Sequence, residues 1–190
     1  MASGDLWFFD RIAPVYDSVV PSASGDTLAT ALEYADRSIE RIVDVGGGTG
    51  RAIRAIDAPE RIVIDASAGM LARVPEGIGC VRGDARDPPL RTASVDAVLI
   101  VDAFHHLPEK RRVLDALAEV LRPGGVLVIG EFDPSTLRGR ILDAGEHLLG
   151  MESQFYTPAE LGEALSGAGL DPVVVDAGFG YTVAATKPGG

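Results

Sequence analysis

VDVGGGTG, from Val43 to Gly50, decides how this sequence folds. Ile42 extends its apolar start, so the segment reads as a buried strand running into a tight glycine turn, then a helix beginning near Thr49. Glycine lets a chain turn sharply and lets a ligand approach the backbone closely. The spacing is G-x-G-x-G, with Arg51 where a dinucleotide loop would carry its third glycine. Asp44 precedes the loop, separated from its first glycine by Val45. A carboxylate there repels a pyrophosphate but attracts an ammonium group, directly or through water, which argues for a ligand with a cationic end and against NAD.

Working outward, short β-branched runs alternate with helix-like segments, the pattern of a mostly parallel sheet covered by helices on both faces. The expected strands are Arg41 to Val45, Arg61 to Asp65, Gly79 to Arg82, Val95 to Val101 and Val126 to Phe132. Pro172 to Asp176 and Tyr181 to Thr186, separated by Ala-Gly-Phe-Gly, are expected to pair as an antiparallel hairpin at the sheet edge. Pro108 suits a first helical position, Val113, Leu114, Leu117 and Leu121 share one face, and Pro123-Gly124-Gly125 stops that helix. Thr157-Pro158-Ala159-Glu160 combines a capping box with Pro in the first turn, and Leu161, Ala164 and Leu165 then face inward. Leu137, Ile141, Leu148 and Leu149 point to another helix inserted after the fifth strand.

The polar residues at the strand ends carry the chemistry, because ligands of such sheets bind outside the carboxyl ends of the strands. Asp65, at the end of the second strand, stands where an acid grips ribose hydroxyls; capping the helix from Ser67 is the alternative. Gly83-Asp84-Ala85 ends the third strand, as a plain turn or as a ligand contact. The fourth strand ends in Asp102-Ala103-Phe104-His105-His106-Leu107. Either histidine can deprotonate a substrate hydroxyl or amine, or instead cap the next helix or pack against a ligand. Glu131, ending the fifth strand, is placed to reach the pocket, but a solvated carboxylate is the favoured reading. Metal binding is not expected, since His147 is the one remaining histidine and no cysteine cluster exists.

Taken in register, these segments resemble the class I S-adenosylmethionine-dependent methyltransferases, strongly from Val43 to Glu131 and loosely at both ends. The resemblance implies a Rossmann-like seven-stranded sheet of order 3-2-1-4-5-7-6, the last strand antiparallel, with helices on both faces. It implies S-adenosyl-L-methionine as cofactor, whose amino acid end and sulfonium are cationic. It places Asp44, Gly46, Gly48 and Gly50 around the methionine and ribose parts, Asp65 on both ribose hydroxyls, Ala66 beside the adenine, Asp84 on the adenine amino group and Ala85 on the ring. Asp102 belongs to the same cofactor-binding set, and His105 and His106 are the candidate catalytic residues. Arg122-Pro123-Gly124-Gly125 is a further landmark, structural in role. Phe9-Asp10-Arg11-Ile12-Ala13-Pro14-Val15-Tyr16-Asp17 is similar to the opening of quinone-type methyltransferases; Tyr16 then covers the site, or else these aromatics serve ordinary core packing. The reaction implied is attack by an O, N or C nucleophile of a small molecule on the sulfonium methyl. A noncatalytic cofactor-binding protein with a regulatory or assembly role is the competing class.

Composition limits the partners. With 17 basic against 28 acidic residues, the formal net charge of −11 opposes binding to a polyanion, so no nucleic acid is expected. Such a surface suits high salt, where self-repulsion is screened. No apolar run approaches the ~18 residues of a spanning helix. The start of the chain lacks the pattern of a signal peptide, and the lone Cys80, expected as a buried small hydrophobe, fits a reducing cytoplasm. One domain over residues 1–190 is expected, with a helical cap at 1–40, a cofactor-binding core at 41–132, and the inserted helix, last helix and hairpin at 133–190. The oligomeric state is left open.

Overall fold

The computed structural model describes residues 25–148 and 153–189; the reading of Tyr16 and its N-terminal neighbours lies outside them. Seven strands form one sheet in the order β3-β2-β1-β4-β5-β7-β6. They are β1 (Arg41–Val45), β2 (Glu60–Asp65), β3 (Gly79–Arg82), β4 (Val95–Val101), β5 (Leu121–Phe132), β6 (Asp171–Asp176) and β7 (Gly180–Thr186). The first five pair in parallel, whereas β7 runs antiparallel to both β5 and β6. The expected order and terminal hairpin are therefore present.

Two apolar clusters, one on each face, hold the sheet. Val43, Val45, Val98, Ile100, Leu127 and Ile129 point to one face. Their alternating neighbours Ile42, Ala97, Leu99, Val126 and Val128 point to the other. Helix α3 (Lys110–Val120) covers the first face through Val113, Leu114 and Leu117, and α5 (Pro158–Gly167) through Leu161 and Leu165. Helix α1 (Gly25–Leu32) covers the second through Leu28, Ala31 and Leu32. A strand covered on both sides needs no polar face, and all seven residues of β4 are buried. The capping box of α5 is formed: the Thr157 hydroxyl accepts from the Glu160 amide, and the Glu160 carboxylate accepts from the Thr157 amide at 2.8 Å.

Several local expectations are corrected. The glycine turn leads not into an α-helix but into a 3₁₀ turn at Ile53–Ala55. Gly48 and Gly50 hold positive φ, and Pro59 comes before any long helix can develop. Pro108 lies ahead of α3, because Glu109 takes a left-handed conformation at the helix cap. That helix stops at Val120, and Leu121 already belongs to β5. Cys80 is exposed, because β3 is an edge strand exposed along its length. Helix α4 (Leu137–Leu148) exists as expected, but Leu137 and Ile141 on it are exposed.

Candidate functional site

Strand order reverses between β1 and β4, and the loops leaving their carboxyl ends open a crevice there. Gly46, Gly48 and Gly50 have φ of 70°, 56° and 77°, a left-handed region costly for residues with a Cβ. The spaced glycines are thus a conformational requirement of the loop. Gly47, absent from the expected site, is required for another reason. A Cβ there would stand 2.5 Å from the Asp44 carboxyl carbon, so the loop lies directly on that side chain. The GGG run carried this signal, since no spacing rule demands a glycine at its centre.

The crevice has two lobes that share Gly46 and Asp65. One is lined by Asp44, the Gly46–Gly48 loop, Arg51, Met70, Asp102 and His106 among others. The second is lined by Asp65, Ala66, Asp84, Ala85, Leu107 and Pro108 among others. The expected set therefore converges, with two exceptions among the described residues. Gly50 packs toward Val63, Val74 and Ile53, away from the crevice. His105 lies behind the first lobe's wall. Asp84 lines the second lobe, but its carboxylate is already gripped by Arg86 at 2.6 Å.

Asp44 is buried, and neither carboxylate oxygen has a hydrogen-bond partner among the described residues. Burial pushes its pKa from 3.8 up to about 7; the nearby Ile53 amide and Arg51 offset part of the rise, and Asp65 adds to it. An orphaned acid beneath a cleft fits an ammonium group, as the amino acid end of S-adenosyl-L-methionine presents. Asp65 is also buried, but saturated differently: its oxygens accept from the Gly48 amide at 2.9 Å and the Ser67 amide at 2.8 Å. It pins the glycine loop to β2 while lining both lobes. Ser67, not Asp65, caps the short α2 (Ala68–Leu71), accepting from the Met70 amide.

At the end of β4 the two histidines separate. His105 is buried, with Nδ1 2.8 Å from Glu131 Oε2. Burial opposes its protonation, but Glu131, with Glu146 and Asp102, outweighs burial and raises its pKa. Glu131 is thereby corrected from a solvated to a buried carboxylate. Phe155 stacks on the His105 ring at 4.4 Å, and the Gln154 amide donates to its carbonyl. His106, in contrast, lines the crevice; burial, then His105 and Lys110, push its pKa down to about 2, so it is neutral. Its Nδ1 lies 3.2 Å from Ser153 Oγ. Asp102 holds a left-handed φ of 52° and pairs with Arg51 at 3.1 Å, while burial and Glu131 raise its pKa to about 6. Arg51 is a wall residue that the motif displayed without revealing its partner.

This fold and crevice define a Rossmann-like protein built to hold a nucleoside ligand with a cationic end. The pattern of a methyltransferase-domain family matches residues 43–129. A demethylmenaquinone methyltransferase of Clavibacter sepedonicus is 36% identical over 65% of this chain and 56% of its own length. A malonyl-[acyl-carrier protein] O-methyltransferase of Dechloromonas aromatica is 32% identical over 85% of this chain and 63% of its own. The chain thus spans less than two thirds of the length of these curated relatives. Among solved structures, a possible histamine N-methyltransferase from Thermotoga maritima superposes with a TM-score of 0.77 at 21% identity, covering 96% of this chain and 99% of that one. Residues 43–129 thus carry a methyltransferase domain of the S-adenosylmethionine-dependent class, with S-adenosyl-L-methionine as the cofactor that domain implies.

Proposed function

We propose that this protein transfers a methyl group from S-adenosyl-L-methionine to an O, N or C nucleophile of a small molecule. The observation that carries the proposal is the orphaned Asp44 carboxylate under the glycine loop, continuous with a lobe bounded by Asp65, Asp84 and Ala85. The bound cofactor supplies an activated methyl group. The chain supplies position. Asp44 holds the ammonium end, Asp65 the ribose hydroxyls, and the Ala66, Asp84 and Ala85 stretch the adenine side. His106 and the Arg51–Asp102 pair then form the wall nearest the methyl end.

Alignment and exclusion of water are the main contributions such a site can make, because the sulfonium needs no further activation. A neutral His106 orients an acceptor by hydrogen bonding rather than drawing a proton strongly from it. Small-molecule acceptors agree with the names of some relatives, a demethylmenaquinone methyltransferase and a 2-methyl-6-phytyl-1,4-hydroquinone methyltransferase, whereas others are named for a malonyl-[acyl-carrier protein] acceptor. The absence of a strongly basic histidine at the crevice also favours a second reading, cofactor binding without turnover in a regulatory or assembly role. Incubation with S-adenosyl-L-methionine and a panel of phenols, quinols, amines and carboxylates decides between them. S-adenosylhomocysteine appearing with an equal amount of methylated acceptor supports transfer. Tight cofactor binding without product from any acceptor supports the second reading.

A further inference from the structure

Behind the crevice wall, His105, His106 and Glu146 each offer one donor atom, and the three atoms lie within 4.8 Å of one another. We propose that these residues bind one divalent transition-metal ion through a two-histidine, one-carboxylate set. The third histidine of the chain, His147, is exposed and paired with Asp143. Its neighbour Glu146 instead completes the cluster.

Four features of the surroundings are those of a ligand set. The His105 Nδ1 is held by both oxygens of buried Glu131, at 3.0 and 2.8 Å. A carboxylate behind a histidine fixes the proton on Nδ1 and leaves Nε2 to face a metal, the usual outer support of such ligands. His106 Nδ1 has its own oxygen neighbour in Ser153. His105 Nε2 stands 3.7 Å from Glu146 Oε1, beyond a hydrogen bond. Two ligands bound to one tetrahedral ion at about 2.0–2.2 Å stand roughly 3.4 Å apart, close to that separation. Lastly, Glu146 Oε2 is buried with no hydrogen-bond partner among the described residues.

Two imidazoles and one carboxylate suit zinc, or iron, cobalt or nickel in the divalent state, better than magnesium or calcium, which prefer all-oxygen sets. Three protein ligands leave a tetrahedral ion one further position. Because His106 lines the crevice, the ion would sit at its wall. The site does not depend on the methyl-transfer proposal.

The test uses the whole chain, freed of metal by a chelator and titrated with zinc chloride by calorimetry, with cobalt(II) absorption reporting the ligand field. One zinc per chain is expected. Glu146→Gln, a near-isosteric change on a helix, weakens binding at least tenfold, and Glu131→Gln weakens it by roughly 10–100-fold. His147→Ala leaves it unchanged, and circular dichroism verifies that each variant is folded. Absence of zinc binding by the wild type, wild-type affinity in Glu146→Gln, or loss of binding in His147→Ala overturns the site.

Discussion

Burial of the Asp44 carboxylate gives the free protein an electrostatic penalty that a cationic ligand relieves. The penalty has a definite pH dependence. A folded pKa of about 7 against 3.8 unfolded means that the folded chain holds a proton more tightly. The resulting stability is fully present below pH 3.8 and is lost as pH rises through 7. Asp44→Asn is therefore expected to be more stable than wild type at pH 8, by up to roughly 4 kcal/mol, with no such gain at pH 4. Chemical denaturation at the two pH values checks it; a gain independent of pH would rule out ionisation as the cause. The same variant should bind S-adenosyl-L-methionine more weakly. At the other wall, His106 is neutral with a pKa near 2. His106→Gln should then slow turnover by about tenfold, short of the ~10²–10⁴ contributed by a general base. A larger loss with an unchanged cofactor affinity would restore the base role.

Among the elements, β4 organises the site at one end and the sheet at the other. Its second residue, Asp96, has a fully buried side chain that accepts from the Glu40 and Arg41 amides at 3.0 and 2.9 Å. It also pairs with Arg37 and Arg122 at 2.7 and 2.9 Å. One carboxylate thus ties the start of β1, the start of β5 and the segment before β1 to β4. Asp96→Ala leaves two amides unpaired and is expected to destabilise by about 3–5 kcal/mol. A loss below 1 kcal/mol in urea unfolding would show the node to be dispensable. Nothing in the sequence marked Asp96, because its partners lie far along the chain. The strands were legible because β4 and β5 bury both faces and so read as unbroken apolar runs, and the α5 cap because its signature is local. The helix after the glycine loop was misread because two positive-φ glycines cannot be told from helix-starting ones by identity alone. Glu131 was misread because its partner, His105, is contributed by another strand end. The positions of Asp65 and Asp84 beside the crevice were legible from register, whereas the Asp84–Arg86 pair was not.

On the scale of the whole molecule, 28 acidic residues against 17 basic leave a net charge of −11 to be confined in one folded chain. Exposed ion pairs such as Arg111–Asp115 contribute at most about 1 kcal/mol each and weaken with salt. Self-repulsion among the unpaired acids weakens as well, and at this charge it is the larger effect. The thermal midpoint should therefore rise between about 0.05 and 1 M potassium chloride; a flat or falling midpoint would show the surface charge to be neutral in effect. No helix among the described residues is long and apolar enough to cross a membrane.

The crevice around Asp44 and Asp65 is the proposed seat of S-adenosyl-L-methionine. Calorimetric titration of wild type and Asp65→Ala, with NAD as the parallel titrant, tests it most directly. Wild type should take up one S-adenosyl-L-methionine per chain and give no heat with NAD. Asp65→Ala should bind at least about 100-fold more weakly, the loss expected when two hydrogen bonds to a charged group disappear. Equal affinity in the two proteins, or a wild type that prefers NAD, would contradict it.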